Sequence, residues 1–353
     1  YAEISVPLIA DVIGFQELNL DYAYRNSSYS DFDSEGVERT AIKWKPMNDL
    51  TVRATFSTSY KAPTISDLYF GGGGGFPTYV DPCEQNVQST YTAAQQATAA
   101  TQCAADGLDT SSWATSNNQI LSLTVGNPNL TPEEGENESI GFVLTPVDGL
   151  IITMDKWSIE TTDTIGIFGM TNAILLDTLI RAEGGASECT GNPNVIRNPV
   201  PEDTVDWAAA GLCPAGLVEK VNDYYVNGDT RTIEGFDTSV IYSIDTDYGV
   251  FSAKFVNVHY DTKNQEAGGD AKRLSDAGQP GGTLAGIAPV RGVNDLLGLN
   301  GSIEDKYTMK LSWKNGPFHM LVSGTQWGEF FESAHTETID GERVMWTVDS
   351  MTM

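Results

Sequence analysis

Short turns and long loops alternate along this chain, and they separate segments with the residue pattern of β-strands. The pattern is cleanest at residues 50–60, where Leu50, Val52, Ala54 and Phe56 alternate with polar residues. Successive side chains of a strand point to opposite faces, so this period of two predicts a strand with one apolar and one polar face. The same period recurs at residues 18–25, 140–144, 236–244 and 307–313.

The connections between these segments fall into two classes. Short turns occupy residues 10–14, 46–49, 146–149, 245–248 and 315–317. Long loops occupy residues 27–36, 62–135, 162–222, 262–303 and 329–341. The alternation is unbroken if residues 223–243 form one long strand. We therefore expect about eleven antiparallel strands, with every short turn at one end and every long loop at the other.

This separation of the connections favours a membrane β-barrel over a soluble β-sandwich. Both ends of a sandwich face the same solvent, whereas bacterial outer-membrane barrels have short periplasmic turns and long extracellular loops. Aromatic residues near the strand ends suit the interfacial girdles of a barrel, although ordinary core packing would also account for them. These residues are Tyr22, Trp44, Tyr60, Trp157, Tyr260, Trp313 and Trp327. Bacterial barrels close with an even number of strands, so eleven predicts a partial barrel.

Charge and cysteine content indicate the class of partner and the redox compartment of the chain. With 20 Lys and Arg against 48 Asp and Glu, the net charge is −28, which argues against a nucleic acid partner because phosphate binding needs a basic surface. The four cysteines form two loop pairs, Cys83 with Cys103 and Cys189 with Cys213, without CxxC or zinc-finger spacing. Two loop disulfides in an oxidising compartment are the favoured interpretation.

The order of several motifs carries further information. The chain opens with YAEISVPLI, then LNLDYAYRNSSYSDF, then AIKWKPMNDLTVRATFSTSYKAPTISDLYFGG, and continues with DPC, GNPNLTPEE, IITMDKWSIETTDTI and TIEGFDTSVIY. This set resembles the barrel domain of TonB-dependent receptors over nearly the whole chain. Where that family has Arg-Ala-Pro and Glu-Leu, this sequence has Lys61-Ala62-Pro63 and Asp67-Leu68.

The resemblance implies an all-β, transmembrane antiparallel β-barrel with long extracellular loops. About 11 strands would lie here, of 22 in the family's barrel. Residues 1–353 would be a partial barrel domain, with the N-terminal plug and the last strands outside this sequence. The family imports a scarce ligand, such as a ferric siderophore, cobalamin or an oligosaccharide, across the outer membrane of Gram-negative bacteria. The implied partners are outer-membrane lipid and, through the plug, the TonB complex.

Candidate ligand contacts are aromatic residues of the long loops. They are Tyr69, Phe76, Tyr79, Trp113 and Trp207. The acidic loops favour cationic or neutral ligands, or ligands bridged by loop Ca²⁺, over bare anions. Residues 162–180 are expected to form a helix that packs on the barrel wall or contacts the ligand. The glycine run at residues 71–75 is expected to be a flexible loop segment.

Neither an enzyme nor a metal centre is expected. The histidines His259, His319 and His335 share no metal-type spacing, and no Ser-His-Asp order or paired-carboxylate context is present. We therefore predict no catalytic residue, no metal ligand and no cofactor. The competing hypothesis is a secreted or surface all-β protein for glycan binding or adhesion, which predicts connections of similar length at both ends of the strands.

Overall fold

The structure is a computed structural model, and it describes most of the chain. The described residues are 1–30, 35–77, 93, 96–97, 119–188, 190–197, 218–285, 294–339 and 342–353. In chain order the strands are β1 Ala2–Val12, β2 Phe15–Ser27, β3 Glu35–Met47, β4 Leu50–Lys61, β5 Gly73–Gly75, β6 Leu121–Val125, β7 Glu133–Leu144, β8 Leu150–Ile167, β9 Val195–Arg197, β10 Val218–Thr246, β11 Gly249–Glu266, β12 Asn294–Asp295, β13 Asp305–Asn315, β14 Phe318–Trp327, β15 Phe330–Ile339, β16 Glu342–Val348 and β17 Met351–Thr352. The helices are α1 Ile65–Tyr69, α2 Met170–Glu188 and α3 Gly269–Ala277. None of the helices in the described part of the chain combines the length and apolarity needed to cross a membrane.

One large antiparallel sheet, which we call the wall, follows the chain from strand to neighbouring strand. Its order is β1-β2-β3-β4-β7-β8-β10-β11-β13-β14-β17, and the sheet does not close on itself. Turns of two to five residues join alternate strand pairs at residues 13–14, 48–49, 145–149, 247–248 and 316–317. The remaining connections are longer, so the predicted alternation is confirmed. The competing hypothesis of a secreted or surface all-β protein predicted connections of similar length at both ends.

The register gives the wall an apolar and a polar face. Val240, Phe255 and Met309 lie side by side in one cross-strand row, and such rows continue across the sheet. Their side chains remain accessible, with Met309 51% and Ile140 57% exposed. An apolar area of this extent on an isolated chain marks a surface that contacts a membrane or another protein.

The polar face carries an ion pair that bridges three strands. Arg53 on β4 and Asp155 on β8 both pair in register with Gly141 on the strand between them. The Arg53 Nη2 to Asp155 Oδ2 distance is 2.7 Å. A Cβ atom at Gly141 would lie 2.1 Å from Asp155 Oδ1. Only glycine therefore leaves room for the two charged side chains to meet across β7.

A compact unit, which we call the cap, stands at the long-loop end of the wall. It comprises α2, α3, β5, β6, β9 and residues 218–224 of β10. In its small sheet, β6 lies parallel to β10. Strand β9 pairs antiparallel with β10, and β5 pairs antiparallel with β6. The helices cover this sheet with a shared apolar core. Its most deeply buried members are Ala173, Ile174, Leu175, Leu176, Leu179, Val221, Leu274 and Leu284.

Three local expectations were wrong. The predicted helix at residues 162–180 begins later, at Met170, because Ile165 and Ile167 extend β8 and pair with β10. The glycine run is partly a strand, since Gly73–Gly75 pairs with residues 122–124 of β6. The long loop expected at residues 329–341 contains β15, which forms a hairpin with β16.

Candidate ligand-binding site

A fully buried carboxylate holds the cap together. Asp177 of α2 is 0% exposed and lies 3.2 Å from Arg181 Nε and 2.7 Å from Arg197 Nε. The backbone N–H of Asn192 also donates to Asp177, at 2.8 Å. A buried charge needs partners of this kind because removing it from water is costly. The network therefore fixes β9 and residue 192 against α2.

A second carboxylate anchors the start of α2. Asp223 Oδ1 accepts hydrogen bonds from the backbone N–H groups of Gly169, at 3.0 Å, and Tyr224, at 3.1 Å. The first N–H groups of a helix have no partner within the helix, and a carboxylate placed there supplies one. Burial raises the pKa of Asp223, while hydrogen bonds from Gly169, Tyr224 and Met170 act in the opposite direction.

A cleft of about 500 Å³ lies between the cap helices and the long-loop ends of β8, β10 and β11. Two of the chain segments that line it touch at glycines. A Cβ atom at Gly268 would lie 1.5 Å from the carbonyl oxygen of Gly228. The polar side chains of its lining are Thr164, Asn172, Asn227, Asp229, Arg231, Gln265 and Asp270.

A chain of hydrogen bonds orders one side of this cleft. Gln265 Nε2 donates to Asp229 Oδ2 at 2.5 Å, and Arg231 Nε donates to Gln265 Oε1 at 3.1 Å. Asn227 Nδ2 donates to the carbonyls of Thr131, at 2.8 Å, and Asp163, at 2.9 Å. The cleft thus presents fixed donors and acceptors, which suits a polar ligand bound by hydrogen bonds.

These cleft residues are not among those predicted from the sequence. Gln265 and Asp229 are 36 positions apart, and β10 and β11 bring them together through a hydrogen-bonded register in which Thr230 pairs with Glu266. No local motif marks either residue. Only a correct strand register, predicted together with the long-loop end of each strand, would have placed them in one site.

The predicted aromatic contacts lie elsewhere or outside the described residues. Tyr69 ends α1, whose start is fixed by reciprocal hydrogen bonds between Thr64 and Asp67. Tyr69 and Phe76 are both exposed, and neither lines the cleft. The remaining predicted positions lie outside the described residues: Tyr79, Trp113 and Trp207, and the cysteines Cys83, Cys103, Cys189 and Cys213.

Solved structures share this architecture. The siderophore receptor PirA from Acinetobacter baumannii matches at a TM-score of 0.50 and 12% identity, over 95% of this chain and 36% of that one. A mutant of the ferric enterobactin receptor PfeA from Pseudomonas aeruginosa, in complex with enterobactin, matches at a TM-score of 0.53 and 10% identity, over 95% and 34%. At such identities the likeness shows the fold alone. The chain spans about a third of the length of these two proteins.

One of two sequence comparisons identifies a family for the chain. None of the curated proteins matches the chain. The family model for the TonB-dependent receptor-like β-barrel matches residues 8–348. That match covers nearly the whole sequence. This chain belongs to the β-barrel family of TonB-dependent receptors.

Proposed function

We propose that this chain is the barrel portion of an outer-membrane receptor that captures a scarce extracellular ligand and imports it through coupling to TonB. The observation that carries the proposal is the arrangement of connections on the wall, because every connection long enough to build a binding site lies at one end. In this proposal that end faces the medium and the short turns face the periplasm, as in bacterial barrels generally. Import makes and breaks no bond in the ligand.

The apolar face of the wall supports a membrane location. Its rows of exposed apolar side chains, such as Ile140 and Met309, alternate along each strand with residues of the polar face. In a membrane barrel the apolar face contacts lipid and the polar face lines the interior. The Arg53–Asp155 ion pair then lies inside the barrel, where water or a plug domain can solvate it.

The cleft and the charge of the chain bear on the class of ligand. Siderophores are the ligands named for the structural relatives, and ferric siderophores, cobalamin and oligosaccharides all remain within the proposal. Residues 62–135 contain seven acidic residues and no basic one, and Asp229 and Asp270 line the cleft. This negative surface favours a neutral or cationic ligand, because it repels anions as they approach.

Uptake by living cells tests the proposal. The full-length gene is deleted, and uptake of a labelled ferric siderophore, cobalamin and an oligosaccharide is measured with and without functional TonB. We expect loss of uptake of one of these ligands in both the deletion strain and the TonB-deficient strain. Unchanged uptake of all three classes, or uptake that persists without TonB, would contradict it.

A cleft variant then tests the binding site. Gln265→Ala removes the link between Asp229 and Arg231, and we expect binding of the transported ligand to the full-length receptor to weaken about tenfold. Asp276→Ala is the matched control, since Asp276 is an exposed residue of α3 outside the cleft lining. Equal binding by both variants would place the ligand site elsewhere.

A further inference from the structure

Three potential metal ligands meet at the long-loop end of the wall. His259 on β11, Asp305 at the start of β13 and Glu304 just before it each offer one nitrogen or oxygen atom, and these atoms lie within 4.8 Å of one another. The distance from His259 Nδ1 to Asp305 Oδ1 is 3.0 Å. Two ligands of one ion, each about 2.1 Å from it, lie up to about 4.2 Å apart, so small side-chain rotations would bring all three onto one ion.

A second layer of contacts holds two of these side chains, those of His259 and Asp305. Asp261 Oδ1 lies 3.3 Å from His259 Nε2, the ring nitrogen that faces away from Asp305. Asn257 Nδ2 donates to Asp305 at 3.2 Å. A carboxylate on the far nitrogen of a metal-binding histidine orients the ring and leaves the other nitrogen free to bind the ion. The histidine thus has the partner that such ligands usually have.

The backbone supports the same arrangement. Glu234 pairs with Thr262, whereas Gly235 pairs with Tyr260, so Asp261 is an extra residue in β11. Such a bulge redirects side chains, and here it brings Asp261 beside His259. The carbonyl of Glu304 accepts from the N–H of Tyr260 at 2.8 Å, and that of Asp305 accepts from Gly328 at 2.8 Å. Neighbouring backbone therefore holds both acidic residues in place.

The cluster lies on the apolar side of the wall, at the long-loop end of β13, and His259 pairs with Phe236 on its other side. His259 pairs with Asp305 in the register, two residues from the Asn257–Tyr307 pair and four from Phe255–Met309. The side chains of His259 and Asp305 are 32% and 30% exposed. An ion can therefore reach them from solvent and keep water in its remaining coordination positions.

We infer that His259, Glu304 and Asp305 form a binding site for a divalent transition-metal ion, with Zn²⁺ as the best fit. One imidazole nitrogen and two carboxylate oxygens make up a ligand set that Zn²⁺ accepts, with an open position for water. Ca²⁺ and Mg²⁺ prefer oxygen ligands alone, so the imidazole disfavours them. The bound ion would join β11 to the end of the connection at residues 267–304. No metal ligand was predicted from the sequence, because neither the histidines nor the cysteines have metal-type spacing and only the strand register brings His259 to Glu304 and Asp305.

Metal binding to the full-length receptor, purified in detergent and stripped with a chelator, tests this inference. We expect one saturable equivalent of Zn²⁺ by calorimetry, and Co²⁺ as a probe should give a visible absorption band that Zn²⁺ abolishes. His259→Gln keeps a hydrogen-bonding side chain but should weaken Zn²⁺ binding at least about a hundredfold. Asp261→Asn should weaken it about 10- to 100-fold, as is typical for a partner of a metal-bound histidine.

His319→Gln is the matched control, because His319 lies in the same sheet near a short turn and away from the cluster. Its Zn²⁺ affinity should equal that of the unmodified receptor. Absence of saturable Zn²⁺ binding, or equal affinity in the His259→Gln variant, would overturn the inference and leave an ion-paired group of His259, Asp261 and Asp305. Preference for Ca²⁺ over Zn²⁺ would overturn the assigned metal class. None of these outcomes depends on the identity of the imported ligand.

Discussion

The wall and the cap differ in the exposure of their apolar side chains. In the cap, Ile174 and Leu179 are 0% exposed and pack in a core shared by helices and a small sheet. In the wall, side chains of the same kind, such as Ile140 and Val322, are each 57% exposed. The cap therefore has the hydrophobic core that folding in water requires, while the wall depends on its surroundings to cover its apolar face. The two regions should accordingly differ in what destabilises them.

The largest difference is expected from Asp177→Ala. The change removes the buried carboxylate that contacts both Arg181 and Arg197, at a cost of about 3–5 kcal/mol. We expect the cap to become sensitive to protease while the wall stays folded. Limited proteolysis and thermal unfolding of the full-length receptor in detergent measure the two effects.

Asp276→Ala is the control for that change. Asp276 pairs with Lys272 on the surface of α3, with both side chains more than 60% exposed, so proteolysis should not change. Equal protease sensitivity of the two variants would show that the cap does not depend on its buried charge.

The next largest effect compares one leucine in each region. Leu179→Ala opens a cavity in the cap core and should cost about 2–5 kcal/mol. Leu311→Ala removes a side chain on the apolar face, where detergent can fill the space left behind, so it leaves no cavity and should cost less than Leu179→Ala. Denaturation in detergent gives both values when a spectroscopic probe in each region reports the unfolding of that region. Similar losses for the two leucines would remove the distinction between a core-stabilised cap and a wall covered by its surroundings.

Within the wall, we expect a tightly packed glycine to affect stability more than an exposed apolar side chain does. Gly141→Ala would place a Cβ 2.1 Å from Asp155 Oδ1 and 2.4 Å from the carbonyl oxygen of Met154. We expect a loss of about 1–3 kcal/mol, read as a lower thermal midpoint of the wall with the cap unchanged. Gly166→Ala on β8 is the control, since no atom lies within 4 Å of its Cβ position. A Gly141→Ala wall as stable as the control would show that the sheet adjusts without strain.

The smallest effect is a pH dependence confined to the cap. Burial raises the pKa of Asp223, so the folded cap binds a proton more tightly than the unfolded chain does. Proton binding to Asp223 therefore stabilises the folded cap. This stabilisation is fully present below the pKa of the unfolded chain, and it is lost as pH rises through the pKa of the folded cap. Relative to Asp223→Asn, which cannot titrate, the unmodified cap should therefore lose stability as pH rises across that window. A constant difference in thermal midpoint at all pH values would contradict the assignment.

The strands were predictable because their signal is repeated. A period of two along each segment and the alternation of connection lengths both depend on many residues, so a few irregular positions do not hide them. The predicted long strand at residues 223–243 is present within β10. The cap was not predictable in the same way, because its sheet joins β5, β6, β9 and β10 from distant parts of the chain.

Single residues of the candidate sites were the least predictable. Gly73–Gly75 has the composition of a loop, yet pairing with β6 makes it a strand, so tertiary context overrides local preference. The Asp261 beside His259 depends on a bulge, and a bulge shifts the register without any clear mark in the sequence. Arg231, Asp229 and Gln265 meet only because two strands extend beyond the wall together.

The length of β10 limits how the receptor can move. Its 29 residues run without a break from the cap into the wall, where they pair with β8 on one side and β11 on the other. A hinge between the two regions would have to break this hydrogen-bonded strut. The cap is therefore not a freely swinging lid, and any tilt imposed on its sheet is transmitted along β10 into the barrel wall.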